Sequence, residues 1–390
     1  MNLRKLSVEN YRSFDRRQEV IFSDDEKNAT LIYGPNGAGK SNFFKALLFV
    51  CTFIETSTKA YGQKMTYDYF VLKKGNEKKP TIFSIELQSN KKIFEYTFSL
   101  LDGTVRKETL KLRIKDKDES TTLFSRNSLK NGDYDKYGFT SELLKSTRPD
   151  ALVLTRGYEV NNSYARDFFE LLGSIHLVSG KQPRAHTAKA IIKNQGYYEK
   201  VLELLKRSDL FIRNFAISER KVTNEGVVGG GINDNVESNI ESTIYDVATI
   251  HYLRDETGKV VGTQQFNLKY HESEGTNRIF ELAYPILDTL ENGCVLYIDD
   301  FDATLHTNEC RFLVNLFSGE LNKKGAHLII NTHRETLMDE VGYKNILLFG
   351  KDNYESTIIG KMSSESRDKN LAKKYMRGDF GAVPRVEDYK

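Results

Sequence analysis

Tryptophan is absent from this 390-residue chain, and cysteine occurs only three times. Cys51, Cys294 and Cys310 show no metal-ligand spacing. An odd count in apolar surroundings reads as reduced, buried thiols, which predicts a cytoplasmic protein. A strong charge of either sign is also lacking: 57 Lys and Arg against 54 Asp and Glu leave +3. That balance argues against a general polyanion binder but leaves room for a local basic face. No apolar run reaches the ~18 residues that a membrane span needs. The first residues, MNLRKLSVENYRSF, alternate and carry charge, unlike a secretory signal. No internal repeat and no long heptad run is visible, so a long coiled-coil arm is not expected. What remains is material for a substantial core, with 39% hydrophobic and 11% aromatic residues. The length allows two or three domains.

Residues 2–10 alternate as a half-buried strand, and 18–22 fit a second one. The apolar run Ala29 to Tyr33 stops at Gly34, and an apolar helix pattern follows Ser41. Thr81 to Arg113 reads as period-two strands joined by turns such as Asp102-Gly103, an antiparallel lobe. Residues 115–150 are polar and read as loops with short elements. Residues 187–215 show helical spacing at Val201, Leu202, Leu204 and Leu205. The stretch 224–240, containing GVVGGGINDN, reads as a surface loop. Strands are expected to resume at 247–253 and 260–269. The last third alternates helix and strand: a helix from Asn277 to Leu290 kinked at Pro285, strand CVLYID, a helix near 308–320, strand HLIINT, a helix near 335–340 and strand NILLFG. Short apolar strands between helices predict an α/β fold with a parallel sheet.

Gly34-Pro35-Asn36-Gly37-Ala38-Gly39-Lys40-Ser41 fits the phosphate-binding pattern G-x-x-x-x-G-K-[ST] in full. Its glycines let backbone N–H groups turn inward as an anion nest, and the following helix aims its positive end at the same place. Lys40 would reach the β- and γ-phosphates of ATP, and the Ser41 hydroxyl would bind Mg²⁺. Val295 to Asp300 is the Walker B candidate. An apolar strand delivers Asp299 to its C-terminal edge as a magnesium ligand, with Asp300 placed to orient the attacking water. Taken alone, a strand ending in two aspartates is as easily an ordinary turn. Glu272-Ser273-Glu274-Gly275 precedes a helix and makes an anion site without a lysine; the plainer alternative is an ordinary serine cap. His333, after HLIINT, is placed to donate to a γ-phosphate, or else simply ends a strand. The order of the four segments favours one shared site.

These segments resemble the ABC-type ATPases related to RecF, SMC and OLD proteins. More closely, the chain is similar to the compact AAA-family ATP/GTP phosphatases of bacterial phage-defence and abortive-infection operons. LSVENYRSF resembles the family's first strand, GPNGAGKSN its Walker A, HESEGTNRIFELAYPIL its signature helix, VLYIDDFDATLH its Walker B and D-loop, and HLIINTHRETL its switch-histidine strand. LLKRSDLFI is similar to a helical segment between the lobes. Tyr375 to Pro384 resembles a C-terminal Y-x-x-G-x-[YF]-G-A-[IV]-P motif. The resemblance implies an ABC-type P-loop ATPase head, with an antiparallel β lobe and a helical insertion between Walker A and Walker B. The expected divisions are an N-terminal lobe at 1–115, an insertion at 116–245, a C-terminal lobe at 246–365 and a motif tail at 366–390, all one composite ATPase domain.

The resemblance further implies that Asn36, Gly37, Ala38, Gly39, Lys40, Ser41 and Asn42 bind ATP, with Ser41 and Asp299 on Mg²⁺ and Asp300 and His333 catalytic. It implies a head-to-tail homodimer in which a second copy's Ser273 and Gly275 cap the γ-phosphate, with the D-loop Ala303 to His306 across the interface. Arg12 is a further candidate for the phosphates, or else a surface arginine. Asp300 departs from the family's glutamate by one methylene, which predicts slow hydrolysis unless the backbone compensates. Gln88 and Gln182 are candidates for the Q-loop glutamine, although a surface role fits each better. Asp24-Asp25 reads as solvated loop charge, and no carboxylate cluster suggests a nuclease in this chain. Besides a weaker option, a regulatory NTPase without nucleic acid such as an antitoxin-like partner protein, two functions follow. One is the sensor-switch ATPase of a phage-defence system, controlling a separate effector such as a nuclease. The other is a RecF-like DNA-binding ATPase of repair, for which Lys73-Lys74, Lys78-Lys79 and Lys111 to Lys117 would be the contacts.

Overall fold

The computed structural model describes residues 3–22, 27–59, 66–89, 91–115, 117, 119–127, 135–179, 185–208, 211–227, 237–362 and 370–382, with the backbone alone at 222–227 and 237–242. Gln182, Asp24, Asp25 and the motif's last residues, Val383 and Pro384, lie outside the described residues. In chain order the elements are β1 (Leu3–Glu9), β2 (Gln18–Ile21), β3 (Ala29–Tyr33), α1 (Lys40–Thr56), β4 (Thr81–Gln88), β5 (Lys92–Leu101), β6 (Thr104–Ile114) and β7 (Ser120–Asn127). There follow α2 (Ser141–Ser146), α3 (Val153–Glu159), α4 (Ser163–Gly173), β8 (Ile175–Val178), α5 (Ala185–Lys193), α6 (Gly196–Arg207), β9 (Asn214–Val227), β10 (Glu237–Arg254) and β11 (Val260–Asn267). The last are α7 (Leu268–His271), α8 (Glu274–Asn292), β12 (Val295–Ile298), α9 (Thr307–Ser318), β13 (His327–Asn331), α10 (Met338–Val341), β14 (Ile346–Lys351), β15 (Thr357–Lys361) and α11 (Leu371–Met376). No described helix is long and apolar enough to cross a membrane.

The chain divides into two compact units: residues 1–180, 289–302 and 313–390 form the first, and 181–288 with 303–312 the second. This division does not follow the expected boundaries at 115 and 245. The first unit takes in β7, the helices α2 to α4 and the strand β8, all from the stretch expected as insertion or loop.

The first unit holds two six-stranded sheets. One is antiparallel in the order β2-β1-β4-β5-β6-β7; the other runs β15-β14-β3-β13-β12-β8, parallel except for β15. Helix α1 explains why its sequence is apolar nearly all round. Phe43 and Phe44 meet Phe349 and Tyr297 of the parallel sheet, while Phe49 and Phe53 meet Phe83 and Phe98 of the antiparallel one. Burial of such aromatics contributes most of the drive to stack the layers. Gln88, expected at the surface, is buried and accepts a hydrogen bond from Arg4 at 2.7 Å.

The second unit packs α5, α6 and α8 with the three-stranded sheet β11-β10-β9. Tyr197 and Phe215 stand edge-on to Tyr284 and Phe280 of α8. The backbone expected as loop at 224–240 is instead a ladder up to Val227 and from Glu237, because each strand satisfies the other's backbone groups; residues 228–236 lie outside the described residues. Helix α8 continues through Pro285.

Candidate functional site

Parallel pairing places three strand ends side by side. β12 pairs β13 with Ile298 opposite Ile330, and β13 pairs β3 with Asn331 opposite Ile32. The residues that follow, Asp299, Thr332 and Tyr33, therefore emerge at one edge, where α/β sheets hold ligands. Gly34 to Gly39 leave β3 at that edge as a loop and enter α1.

Two glycines of the loop are demanded by contact. A Cβ on Gly34 would stand 2.3 Å from the Phe349 carbonyl oxygen. Gly39 has φ 104°, and a Cβ there would stand 2.2 Å from Thr357 Oγ1. Behind the loop, Thr357 Oγ1 bonds Ala38 O and Ser13 Oγ, both at 2.9 Å, and Asn42 Nδ2 donates to Ser13 Oγ at 2.9 Å. Asn42 is thus held behind the loop by its side chain. Lys40 is buried and donates to Gly34 O at 2.7 Å and Pro35 O at 3.2 Å. Burial lowers its pKa, opposed by Asp300, Asp299 and Asp302.

Ser41 Oγ donates to Asp299 Oδ1 at 3.1 Å, and Asn331 Nδ2 donates to the same oxygen. Tyr297 OH donates to Asn331 Oδ1 at 3.0 Å, which fixes the orientation of that amide. Burial pushes the Asp299 carboxyl up, while the bonds from Asn331 and Ser41 pull it back. Asp300 is exposed and left-handed, with φ 50°. His333 is also exposed at its strand end; partial desolvation and the Lys40 charge lower its pKa, against Asp302 and Asp300. Asp302 anchors the histidine's turn, accepting from Thr332 Oγ1 at 3.0 Å and His333 N at 3.1 Å.

Within one unit, then, the structure gathers Lys40, Ser41, Asp299, Asp300 and His333. Sequence reasoning missed Asn331, Asp302, Ser13 and Thr357. A polar residue closing the apolar run HLIIN and the third aspartate of DDFD were the signals for the first two; Ser13 and Thr357 left none. Arg12 follows β1 with φ 48° and pairs with Asp68 at 2.8 Å.

Ser273 and Gly275 belong to the second unit. Ser273 Oγ accepts from Thr276 N at 3.0 Å, so it caps the first turn of α8 while staying exposed. A Cβ on Gly275 would lie 3.2 Å from Thr304 O, so glycine lets the D-loop backbone approach the helix start.

The family described as "AAA domain, putative AbiEii toxin, Type IV TA system" matches residues 29–339, a span from the start of β3 into α10. The chain belongs to this family. Among solved structures, this AAA-domain chain is similar to an SMC head domain from Thermotoga maritima, at 15% identity over 93% of this chain and 100% of that one, with a TM-score of 0.44. It is also similar to an Smc head domain with an extended coiled coil, bound to the C-terminal domain of ScpA, derived from Pyrococcus furiosus, at 12% identity over 97% and 99% of the chains and a TM-score of 0.43. No curated protein matches it.

The residues present fit a nucleotide and a hard cation. The loop's glycines keep its backbone bare, the first-turn N–H groups of α1 have no intrahelical acceptor, and a serine hydroxyl and a carboxylate supply oxygen ligands of the kind magnesium takes.

Proposed function

We propose that the chain is an ABC-type ATPase, slow in turnover, whose site is completed by a second copy of itself. We further propose that it serves as the sensor or switch subunit of an anti-phage defence system and controls a separate effector. The observation that carries the ATPase reading is the meeting of Ser41 with Asp299 beside the Walker A lysine.

ATP would lie with its phosphates on the N–H groups of Asn36 to Ser41. Lys40 would exchange its bonds to Gly34 O and Pro35 O for phosphate oxygens. Ser41 and Asp299 would hold Mg²⁺, which when bound neutralises phosphate charge and fixes phosphate geometry. Asp300 orients the attacking water, and a neutral His333 donates to the γ-phosphate. Ser273 and Gly275 of the second copy cap the same phosphate from the start of α8. The defence role is supported by the family description, which names a toxin of a type IV toxin–antitoxin system. The DNA-clamp reading gains nothing at Lys73, which is committed to Asp15 at 2.7 Å.

The test is the mass of the full chain in solution with and without ATP. ATP should produce a dimer, most clearly with Asp300→Asn, and Lys40→Ala or Ser273→Arg should abolish it. An Asp300→Asn variant that stays monomeric in saturating ATP removes the shared site from the account.

A further inference from the structure

The C-terminal sequence Tyr375 to Ala382 takes no part in the proposed chemistry, yet it folds as a closed unit. Leu371, the first residue of α11, donates its N–H to Asp339 Oδ1 at 2.8 Å. Beyond the helix, Gly378 and Gly381 take φ of 84° and 72°, a region costly to other residues. The two turns carry the chain back until Tyr375 OH donates to Ala382 O at 3.0 Å. The closure uses one tyrosine hydroxyl, two glycines at positive φ and the backbone carbonyl of a buried alanine.

The buried Tyr375 ring lies against Tyr33, with centroids 5.6 Å apart and planes at 54°. Tyr33 ends β3, and the next residue opens the Walker A loop. Its hydroxyl donates to Arg334 O at 2.9 Å. Burial holds that phenol well above its usual pKa, so it stays a donor.

Arg334 directly follows His333. The turn is held from one side by Asp302, through Thr332 Oγ1 and His333 N, and by Arg334 N on Thr332 Oγ1 at 3.0 Å. Tyr33 holds it from the side of the Walker A strand. The histidine side chain is exposed, and this backbone sets where its Cα and Cβ stand.

We propose that Tyr33 and Tyr375 are positioning residues for His333, with the C-terminal unit as a buttress that fixes the histidine's turn against the start of the Walker A loop. The proposal rests on the assignment of His333 to the nucleotide site. It implies that loosening the C-terminal unit lowers turnover and spares nucleotide affinity, since Lys40, Ser41 and Asp299 are untouched.

The test uses the full chain, with steady-state ATP hydrolysis and titration of a fluorescent ATP analogue. Tyr33→Phe keeps the ring and removes the hydroxyl; kcat should fall roughly fivefold to tenfold, as for one lost hydrogen bond, with KM and analogue affinity within about twofold of wild type. Tyr375→Ala should fall at least as far; Tyr375→Phe, which keeps the ring against Tyr33 but opens the bond to Ala382, should fall between Tyr375→Ala and wild type. His333→Ala combined with Tyr33→Phe should be no slower than His333→Ala alone, because the hydroxyl acts through the histidine. Multiplying effects, or an equal loss of nucleotide affinity in Tyr33→Phe, overturn the proposal. If His333→Ala alone turns over at the wild-type rate, the assignment of His333 fails, and the proposal with it. Circular dichroism shows whether Tyr375→Ala is folded; if it is not, the pairing of Tyr33→Phe with His333→Ala decides.

Discussion

Ser41 and Asp299 stand 258 positions apart in the chain and 3.1 Å apart in space. They meet because α1 starts, and β12 ends, at the same edge of a parallel sheet. The oxygen of Asp299 that Ser41 reaches is also held by Asn331. The carboxylate is therefore oriented by the fold, and preorganisation of this kind lowers the cost of binding.

Asn331 offers the first prediction. Asn331→Leu removes a donor from a buried carboxylate and the acceptor of the buried Tyr297 hydroxyl. Stability should fall by about 2–3 kcal/mol, the scale for stranding buried polar groups. The magnesium concentration for half-maximal turnover should rise. Urea denaturation checks the first outcome; an unchanged midpoint would contradict the network.

Asp300 carries the second. Its φ of 50° lies in the left-handed region, which short polar side chains tolerate best. That is a physical reason for aspartate where the family resemblance leads one to expect glutamate. Asp300→Asn should keep the backbone and ATP binding while turnover drops at least about 100-fold, the scale of a lost general base. Asp300→Glu should cost about 1 kcal/mol of stability. Wild-type turnover in Asp300→Asn would remove the residue from the water-orienting role.

His333 predicts a pH dependence. Partial desolvation, followed by Lys40, lowers its pKa below the usual 6.5, so the fold favours the neutral ring. Its contribution to stability is complete above pH 6.5 and is lost as pH falls through the lower, folded value. A ring-proton NMR titration, assigned by the loss of the signal in His333→Ala, should show a midpoint under 6.5. A midpoint above it would reverse the sign.

Gly39 tests the loop. Gly39→Ala places a methyl 2.2 Å from Thr357 Oγ1 at a φ of 104°. The variant should lose at least about 2 kcal/mol, combining backbone strain with a clash. It should also bind the ATP analogue at least tenfold more weakly, by about the free energy of one displaced contact. Gly37→Ala meets no atom within 4 Å and carries only the cost of its φ of 77°. Calorimetric melting should separate the two, and equal losses would deny the Thr357 contact its role.

Much of this was legible from local pattern. The strand before Gly34, the helix after Ser41 and the apolar runs of β12 and β13 announce themselves by period and by punctuation. β7 did not, because Ser120 to Asn127 is mostly polar and becomes a strand only beside β6. β8 did not, because a four-residue run such as Ile175 to Val178 is ambiguous until a parallel neighbour claims it. Gln88 looked like a surface residue because nothing local announces Arg4 as its partner. The backbone at 224–227 and 237–240 read as loop for a related reason: Gly226, Asn224 and Asn239 are turn formers, whereas the strand is set by the opposing chain.

The sequence by itself determined that a phosphate-binding loop stands between a strand and a helix, because the chemistry of that loop lies in consecutive residues. It also placed aspartates and a histidine at the ends of apolar strands. Only the tertiary structure decided that Asn331 and Ser41 share one oxygen of Asp299, that Ser13 and Thr357 close behind Gly39, and that Tyr375 braces Tyr33 near His333. These partners are hundreds of residues apart or sit on different strands. Their meeting depends on strand order and register, which side-chain pattern along one segment does not encode.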